Sequence, residues 1–310
     1  MEKVDSRRFY HSRHSYYGHS IVALQRILGE LRENGGKQSF IYLAGDSSLD
    51  SKYWFADTAP ATNGYQHVLE PPTMKQDICY YLNLRCATEG VPMACINCAV
   101  EEATLGEKAA ETAELFKKSS GSGSGGGLNA QDIFIQRNIT ANDILVVNIG
   151  GNDIALRPSV STIFNMAKLL WLNSEESLTN DFENCWGVPH FIEMFRDDLC
   201  AYVMQLIKLR KPRKVIIGIV YYPSETPSGW AESVLNKLSY FEKPQYLQLA
   251  IRQLYNHAVQ AIRIPGVLVE TFPMYEVMDG KDNSMYCQGV EPSPRGNMLL
   301  AQALWPKLIQ

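Results

Sequence analysis

The run Phe40-Ile41-Tyr42-Leu43-Ala44 stops abruptly at Gly45-Asp46-Ser47-Ser48. An uninterrupted apolar stretch bounded by turn-forming residues specifies a buried β-strand. Gly45 lets the backbone turn sharply where the strand ends. Ser47 then stands at the carboxyl end of that strand, where open α/β sheets place their ligands. A serine in such a position is a nucleophile only if a base and an oxyanion site are built around it. Taken alone, Gly-Asp-Ser reads more readily as a polar turn. A second stretch changes that balance: Ile144-Leu145-Val146-Val147-Asn148-Ile149 is another apolar strand, and it ends in Gly150-Gly151-Asn152-Asp153.

Between and beyond these strands the pattern alternates. Ile21, Leu24, Ile27, Leu28 and Leu31 make one stripe of a helix over 20–34. Prolines at 60, 71 and 72 make 57–73 a loop, and a helix is expected over 74–85. Strands are expected at 91–98, 143–149, 214–222 and 266–270, with helices at 104–118, 191–210 and 244–262 and from Gly296 to the C-terminus. Strands alternating with helices imply a parallel sheet covered on both faces. Residues 1–17, rich in Arg, His and Tyr, read as a mobile arm or surface strap ahead of the first helix. A single domain is expected over 39–310. The Ser-Ser-Gly-Ser-Gly run at 119–127 reads as a flexible loop within it, and 155–189 as an aromatic insertion.

Composition removes several functions. The chain of 310 residues is 45% apolar and 20% charged, enough for a large core. A net charge of -4 gives no support to nucleic-acid binding. No apolar run approaches the roughly 18 residues of a membrane span, and 1–20 lacks the apolar core of a secretory signal. Seven cysteines without zinc-site spacing read as buried, reduced thiols, which suits a cytoplasmic protein. No metal or cofactor is expected; in particular, no G-x-G-x-x-G follows the first strand.

The order and position of these motifs resemble the SGNH/GDSL hydrolase family over nearly the whole chain from residue 39. The resemblance implies a three-layer α/β/α sandwich on a five-stranded parallel sheet in flavodoxin-like order. It also implies a serine hydrolase acting on an ester or O-acyl (acetyl) group. Gly45-Asp46-Ser47 falls on the block that supplies the nucleophile, and Gly150-Gly151-Asn152-Asp153 on the block whose asparagine completes the oxyanion hole. The family's glycine after the second strand falls on Glu102, where a carboxylate would oppose an oxyanion. In Gln288-Gly289-Val290-Glu291-Pro292-Ser293, Glu291 occupies the position of the family histidine and Gln288 that of its aspartate. The resemblance therefore makes Ser47, Asn152, Glu291 and Gln288 the candidate catalytic set, with Asp46, Gly151, Asp153, Glu102 and His190 around the substrate.

A carboxylate of ordinary pKa, about 4.3, is a poor base for a serine hydroxyl. Repulsion from Glu102 and burial would raise Glu291, so activity is expected to climb from mildly acidic to neutral pH. Among the other histidines, His190 is the preferred substitute base. His11, His14 and His67 read as loop or arm residues, and His257 as part of a helix. Three functions stay open: a serine esterase with an atypical base, an inactive family member that binds an acylated or carbohydrate ligand, and a protein-interaction module using the arm or the 155–189 insertion.

Overall fold

Successive side chains of a strand point to opposite faces, so an apolar strand needs cover on both. Strand β1 (Ser39–Gly45) does this literally: Phe40, Tyr42 and Ala44 enter one hydrophobic cluster, Ile41 and Leu43 the other. The protein is described here by a computed structural model covering residues 2–11, 17–108 and 127–310. Its main sheet contains β1, β2 (Met93–Asn97), β3 (Ile144–Asn148), β4 (Lys214–Ile219) and β5 (Leu268–Pro273), all parallel, in the order β2-β1-β3-β4-β5. Helices cover both faces. On one lie α1 (Ile21–Glu33), α3 (Ala130–Asn138), α6 (Leu199–Leu206) and α8 (Pro244–His257); on the other lie α2 (Ile78–Thr88) and α9 (Pro294–Ile309). Leu300, Leu304 and Leu308 of α9 are fully buried, each side chain contributing about 1.5–3 kcal/mol.

The order fixes where a ligand can bind. From β1 the chain goes to β2 on one side, then crosses to β3 on the other. The carboxyl ends of β1 and β3 thus flank the topological switch point, where doubly wound sheets open a crevice. The two strand ends approach closely there. Asp46 N donates to Asn148 O at 3.1 Å, and a Cβ on Gly45 (φ 132°) would stand 1.8 Å from that same oxygen. Only glycine fits.

The local differences from the sequence reading have physical causes. Thr73–Lys75 pairs antiparallel with Thr58–Pro60, so the helix begins only at Ile78, where Asp77 Oδ1 accepts from Tyr80 N at 2.8 Å. Residues 224–243, expected from the sequence to be a loop, are not all loop: Glu232–Lys237 forms helix α7, between α6 and α8 in the chain. The insertion contains α5 (Val160–Trp171), which follows the short α4 (Gly151–Ala155). The described parts of the N-terminal arm are packed rather than loose. Val4, Phe9 and Tyr10 are buried, Val4–Asp5 pairs with Leu69–Glu70, and His19 stacks on Phe9 with ring centroids 3.7 Å apart. The Gly/Ser loop apart from Gly127, His14, and residues 109–118 of the expected helix over 104–118 lie outside the described residues.

Candidate active site

Ser47, Asn152 and Glu291 line one cavity at the carboxyl edge of the sheet, of about 810 Å³ including its open mouth. Each is positioned by a different device. Ser47 sits in the turn after β1. That turn is held by Asp46, whose Oδ1 accepts from Ser48 N (3.0 Å) and Ser48 Oγ (2.6 Å) and whose Oδ2 accepts from Gly150 N (3.1 Å). Asn152 lies in the first turn of α4, directly after β3. Glu291 sits on a two-stranded hairpin, Tyr286–Cys287 against Glu291–Pro292. The hairpin turn has both central residues, Gln288 and Gly289, at positive φ, and Val290 N closes it onto Cys287 O at 3.3 Å.

Glu291 is almost fully buried. Its Oε1 accepts from Trp230 Nε1 at 3.3 Å, and its Oε2 has no hydrogen-bond partner. The Ser47 hydroxyl lies near enough to favour the Glu291 anion, though no bond of ordinary length and angle has formed to Oε2. Catalytic hydrogen bonds commonly tighten only around substrate. Burial, opposed by Ser47 and reinforced by the Asp46 charge, pushes the Glu291 carboxyl up to about 8. It is therefore mostly neutral at pH 7 and a base only on the alkaline side, above the mildly acidic-to-neutral window expected from sequence.

Two N–H groups at the cavity have hydrogen-bonding capacity to spare. No hydrogen bond among the described residues takes the Ser47 backbone N–H. The Asn152 Nδ2 donates to Ala103 O at 3.0 Å, which leaves one of its two hydrogens for a ligand. Gly151 borders the same cavity.

Other expected site residues go elsewhere. Gln288 is an exposed turn residue and makes no hydrogen bond to Glu291 among the described residues. The turn geometry turns it away from the role of an orienting acid. Glu102 keeps the left-handed backbone a glycine would adopt (φ 56°), but its carboxylate pairs with Arg157 and does not border the Ser47 cavity. The acid near Glu291 is instead its neighbour Glu101, buried and bonded by Trp54 Nε1 at 2.9 Å. Burial first, then the Glu291 charge, raises Glu101 well above the usual carboxylate range. Asp153 accepts from Leu105 N (2.7 Å) and Gly106 N (2.8 Å), anchoring the loop after β2. His190 stands with Asp153 in an adjoining cleft, 3.1 Å from Thr162 Oγ1, and does not border the Ser47 cavity. His257 contacts Glu183 at 3.0 Å on the surface.

Sequence reasoning missed three contributors. Trp230 was visible only as an aromatic in a Pro/Ser/Gly loop. Glu101 and Glu102 are adjacent, and nothing in the sequence says which faces inward. The ion pair Asp50–Lys52, fully buried a few residues after Ser47, was not seen at all. Its neighbourhood is acidic: burial lifts Asp50 to about 7 and Asp77 to about 6 despite Lys52. The rest of the cavity is apolar, with Val220 and Pro223 after β4, Val234 and Leu235 from α7, and Leu247 and Ile251 from α8. No cluster of three metal-ligating side chains occurs among the described residues.

No family model matches the chain, and no curated protein matches it. Solved structures similar to it include TesA (15% identity, TM-score 0.43, covering 87% of this chain and 97% of that one). A carbohydrate esterase family 3 protein from Talaromyces cellulolyticus is also similar (12%, 0.43, 88% and 97%), as is Axe2, an acetylxylan esterase from Geobacillus stearothermophilus (12%, 0.41, 88% and 94%). At such identities and scores the chemistry of this chain has to be decided by its own residues. In motif order and sheet topology those residues resemble the SGNH/GDSL hydrolases.

Proposed function

We propose that the protein is a serine ester hydrolase with Ser47 as nucleophile and Glu291 as its base. The observation that carries this reading is the meeting of Ser47 with the unpartnered, buried Glu291 Oε2 in one cavity. A buried carboxylate oxygen without a partner is costly unless it serves a reaction or a ligand. In the proposed sequence Ser47 Oγ attacks the ester carbonyl and its proton passes to Glu291 Oε2. The Ser47 N–H and the remaining Asn152 N–H hold the oxygen that becomes negative. Glu291 returns the proton to the departing alkoxide, leaving an acyl-serine. Water then attacks the acyl carbon as it loses a proton to Glu291; the tetrahedral intermediate collapses to the free acid, and Glu291 returns the proton to the departing Ser47 Oγ.

The apolar walls suit an acyl group longer than acetyl, because each buried methylene contributes about 0.8 kcal/mol. The test is hydrolysis of p-nitrophenyl acetate, butyrate and octanoate at pH 9, with fluorophosphonate labelling of the protein. The expected result is turnover and labelling that Ser47→Ala abolishes, with octanoate preferred. Equal rates for wild type and Ser47→Ala, with no labelling, would reject the hydrolase.

One observation favours a second reading. Burial favours the protonated form of Glu291; in that form Ser47 has no proton acceptor, and the cavity would retain an acylated ligand without cleaving it. Saturable binding of octanoate ester in the absence of turnover at any pH would select that reading.

A further inference from the structure

A helix that precedes a strand of a parallel sheet delivers the chain to that strand's amino end, so helix C-termini gather at that edge. There, on the edge opposite Ser47, lies a second cleft, of about 730 Å³ including its open mouth. Arg32 lines it from the last turn of α1, Arg137 from the last turn of α3, and Arg210 from the segment between α6 and β4. Lys37, on the way into β1, is the fourth cation. Among the described residues one acid lines the cleft, Asp143, and its carboxylate is committed to its own surroundings. Oδ1 accepts from Phe40 N at 2.7 Å, and Oδ2 from Thr140 N at 2.7 Å and Thr140 Oγ1 at 2.8 Å. Four cations thus share a cleft with one carboxylate, in a chain whose net charge is -4.

Cations near helix C-termini often just complement the helix dipole. That accounts for Arg32, whose Nη2 donates to Asn138 O at the end of α3 at 3.1 Å and whose guanidinium lies 5.2 Å over the Phe40 ring. Lys37 is bonded to Asn63 Oδ1. It does not account for Arg210, which lies past the last turn of α6. Arg137 and Arg210 are exposed, and among the described residues neither makes a hydrogen bond or an ion pair. Two tethered cations and two with every donor unused therefore converge on one concave surface. Their mutual repulsion is relieved when an anion enters. Guanidinium forks match phosphate oxygens in pairs, and the volume falls in the range of small-molecule sites, about 300–1,000 Å³. The cations are confined to a cleft rather than spread along a face, which selects a compact anion over an extended one.

We propose that this cleft binds a compact small molecule carrying two or more phosphates, gripped by the Arg137 and Arg210 guanidiniums, with Arg32 and Lys37 adding charge. The cleft lies at the amino end of β1 and Ser47 follows its carboxyl end, about 20 Å of strand away, so the proposal stands without the hydrolase reading. The test is isothermal titration calorimetry of the full chain with inorganic pyrophosphate, in phosphate-free buffer at low and at physiological ionic strength. One pyrophosphate per chain is expected to bind, severalfold more weakly as salt rises. Arg137→Gln and Arg210→Gln should each weaken binding about tenfold or more, the loss of a charge-assisted hydrogen bond expressed as affinity. Arg137→Lys should fall between, since it keeps the charge but not the fork. Lys281→Gln, which removes an exposed cation outside the cleft, should bind as wild type does, and so should Ser47→Ala. The melting temperature of the ligand-free Gln variants should hold or rise, because each removes an unpaired like charge; weaker binding then cannot come from a damaged fold. Pyrophosphate that fails to bind at low ionic strength overturns the proposal, and so does equal affinity in wild type and both Gln variants. An oligothymidylate that binds more tightly than pyrophosphate, with the same two arginines required, would overturn it in favour of an extended nucleic-acid backbone.

Discussion

Trp230 Nε1 donates to Glu291 Oε1 across 3.3 Å, tying the loop after β4 to the hairpin that precedes α9. A hydrogen bond to the charged form favours that form, so the indole holds down a carboxyl that burial raises to about 8. The kcat/KM of wild type should therefore rise with pH through about 8 and level off above it. In Trp230→Phe the ring remains but the donor is lost. The rising limb should move to higher pH while the plateau changes little. A pH–rate profile of both proteins on p-nitrophenyl butyrate reads this directly, and a limb at the same pH in both would remove Trp230 from the proton inventory.

The same burial sets the stability of the whole molecule against pH. Glu291 is raised to about 8, Asp50 to about 7, and Asp46 and Asp77 to about 6, burial being the first cause in each. An acid with a raised folded-state pKa keeps its proton in the native state after the unfolded chain has released it. Stability then falls as pH rises, from about 4 to about 8, and is level below that window. The melting temperature should be higher at pH 5 than at pH 8.5. Glu291→Gln should flatten the fall. A melting temperature that climbs from pH 5 to 8.5 would contradict the buried acid cluster.

The large elements were legible because their causes are local. A short apolar, partly aromatic run ending in Gly45 reads as a buried strand, and the stripe at Leu24, Ile27, Leu28 and Leu31 as a helix face. The strand order that opens the switch point between β1 and β3 does not follow from that alternation; it is what the family resemblance implies. What escaped depends on tertiary direction. The Gln288 backbone turns at positive φ, so a side chain three residues before Glu291 faces away from it. Glu101 and Glu102 differ in a single backbone torsion region, and that difference sends one inward and the other to Arg157. The helix over 232–237 escaped because Pro, Ser and Gly crowd the loop ahead of it.

Placing the family residue at position 291 should change the pH range of activity rather than the fold. In Glu291→His the base has an ordinary pKa near 6.5, so the proton acceptor is present at pH 7. Turnover at pH 7 should rise by about tenfold, because a carboxyl raised to about 8 is mostly protonated there and withholds the base. Adding Gln288→Asp should contribute little, because position 288 is exposed at the turn. A comparison of both variants at pH 7 and pH 9 checks this; a strict need for the second substitution would mean that the hairpin rearranges.

Glu102 stands where the resemblance implies a glycine. Its φ of 56° is one that non-glycine residues rarely adopt, at a cost of about 1 kcal/mol. The ion pair with Arg157, half-exposed on the arginine side, offsets only part of that, since such pairs contribute about 0–1 kcal/mol. Glu102→Gly should therefore leave stability unchanged or raise it by up to about 1 kcal/mol in urea unfolding. Esterase turnover should stay within a few-fold. A large loss of activity would show that the carboxylate acts on the substrate after all.

The cavity wall makes the last prediction. Val234 and Leu235 of α7 and Leu247 and Ile251 of α8 supply apolar wall to the cavity that Ser47 and Glu291 also line. Filling the space beside that wall should discriminate by chain length and leave the chemistry alone. A Val234→Trp substitution adds bulk there without touching the groups around Ser47. Val234 is only partly buried, so the overpacking should stay near the lower end of the usual 1–3 kcal/mol. Acetate turnover should be kept. Octanoate kcat/KM should fall by about 10–200-fold, the range that one mismatched apolar contact produces, mainly through KM. The ratio of octanoate to acetate kcat/KM in wild type and variant is the measurement. If both esters lose activity equally, the acyl chain does not lie along α7, and that wall serves another part of the ligand.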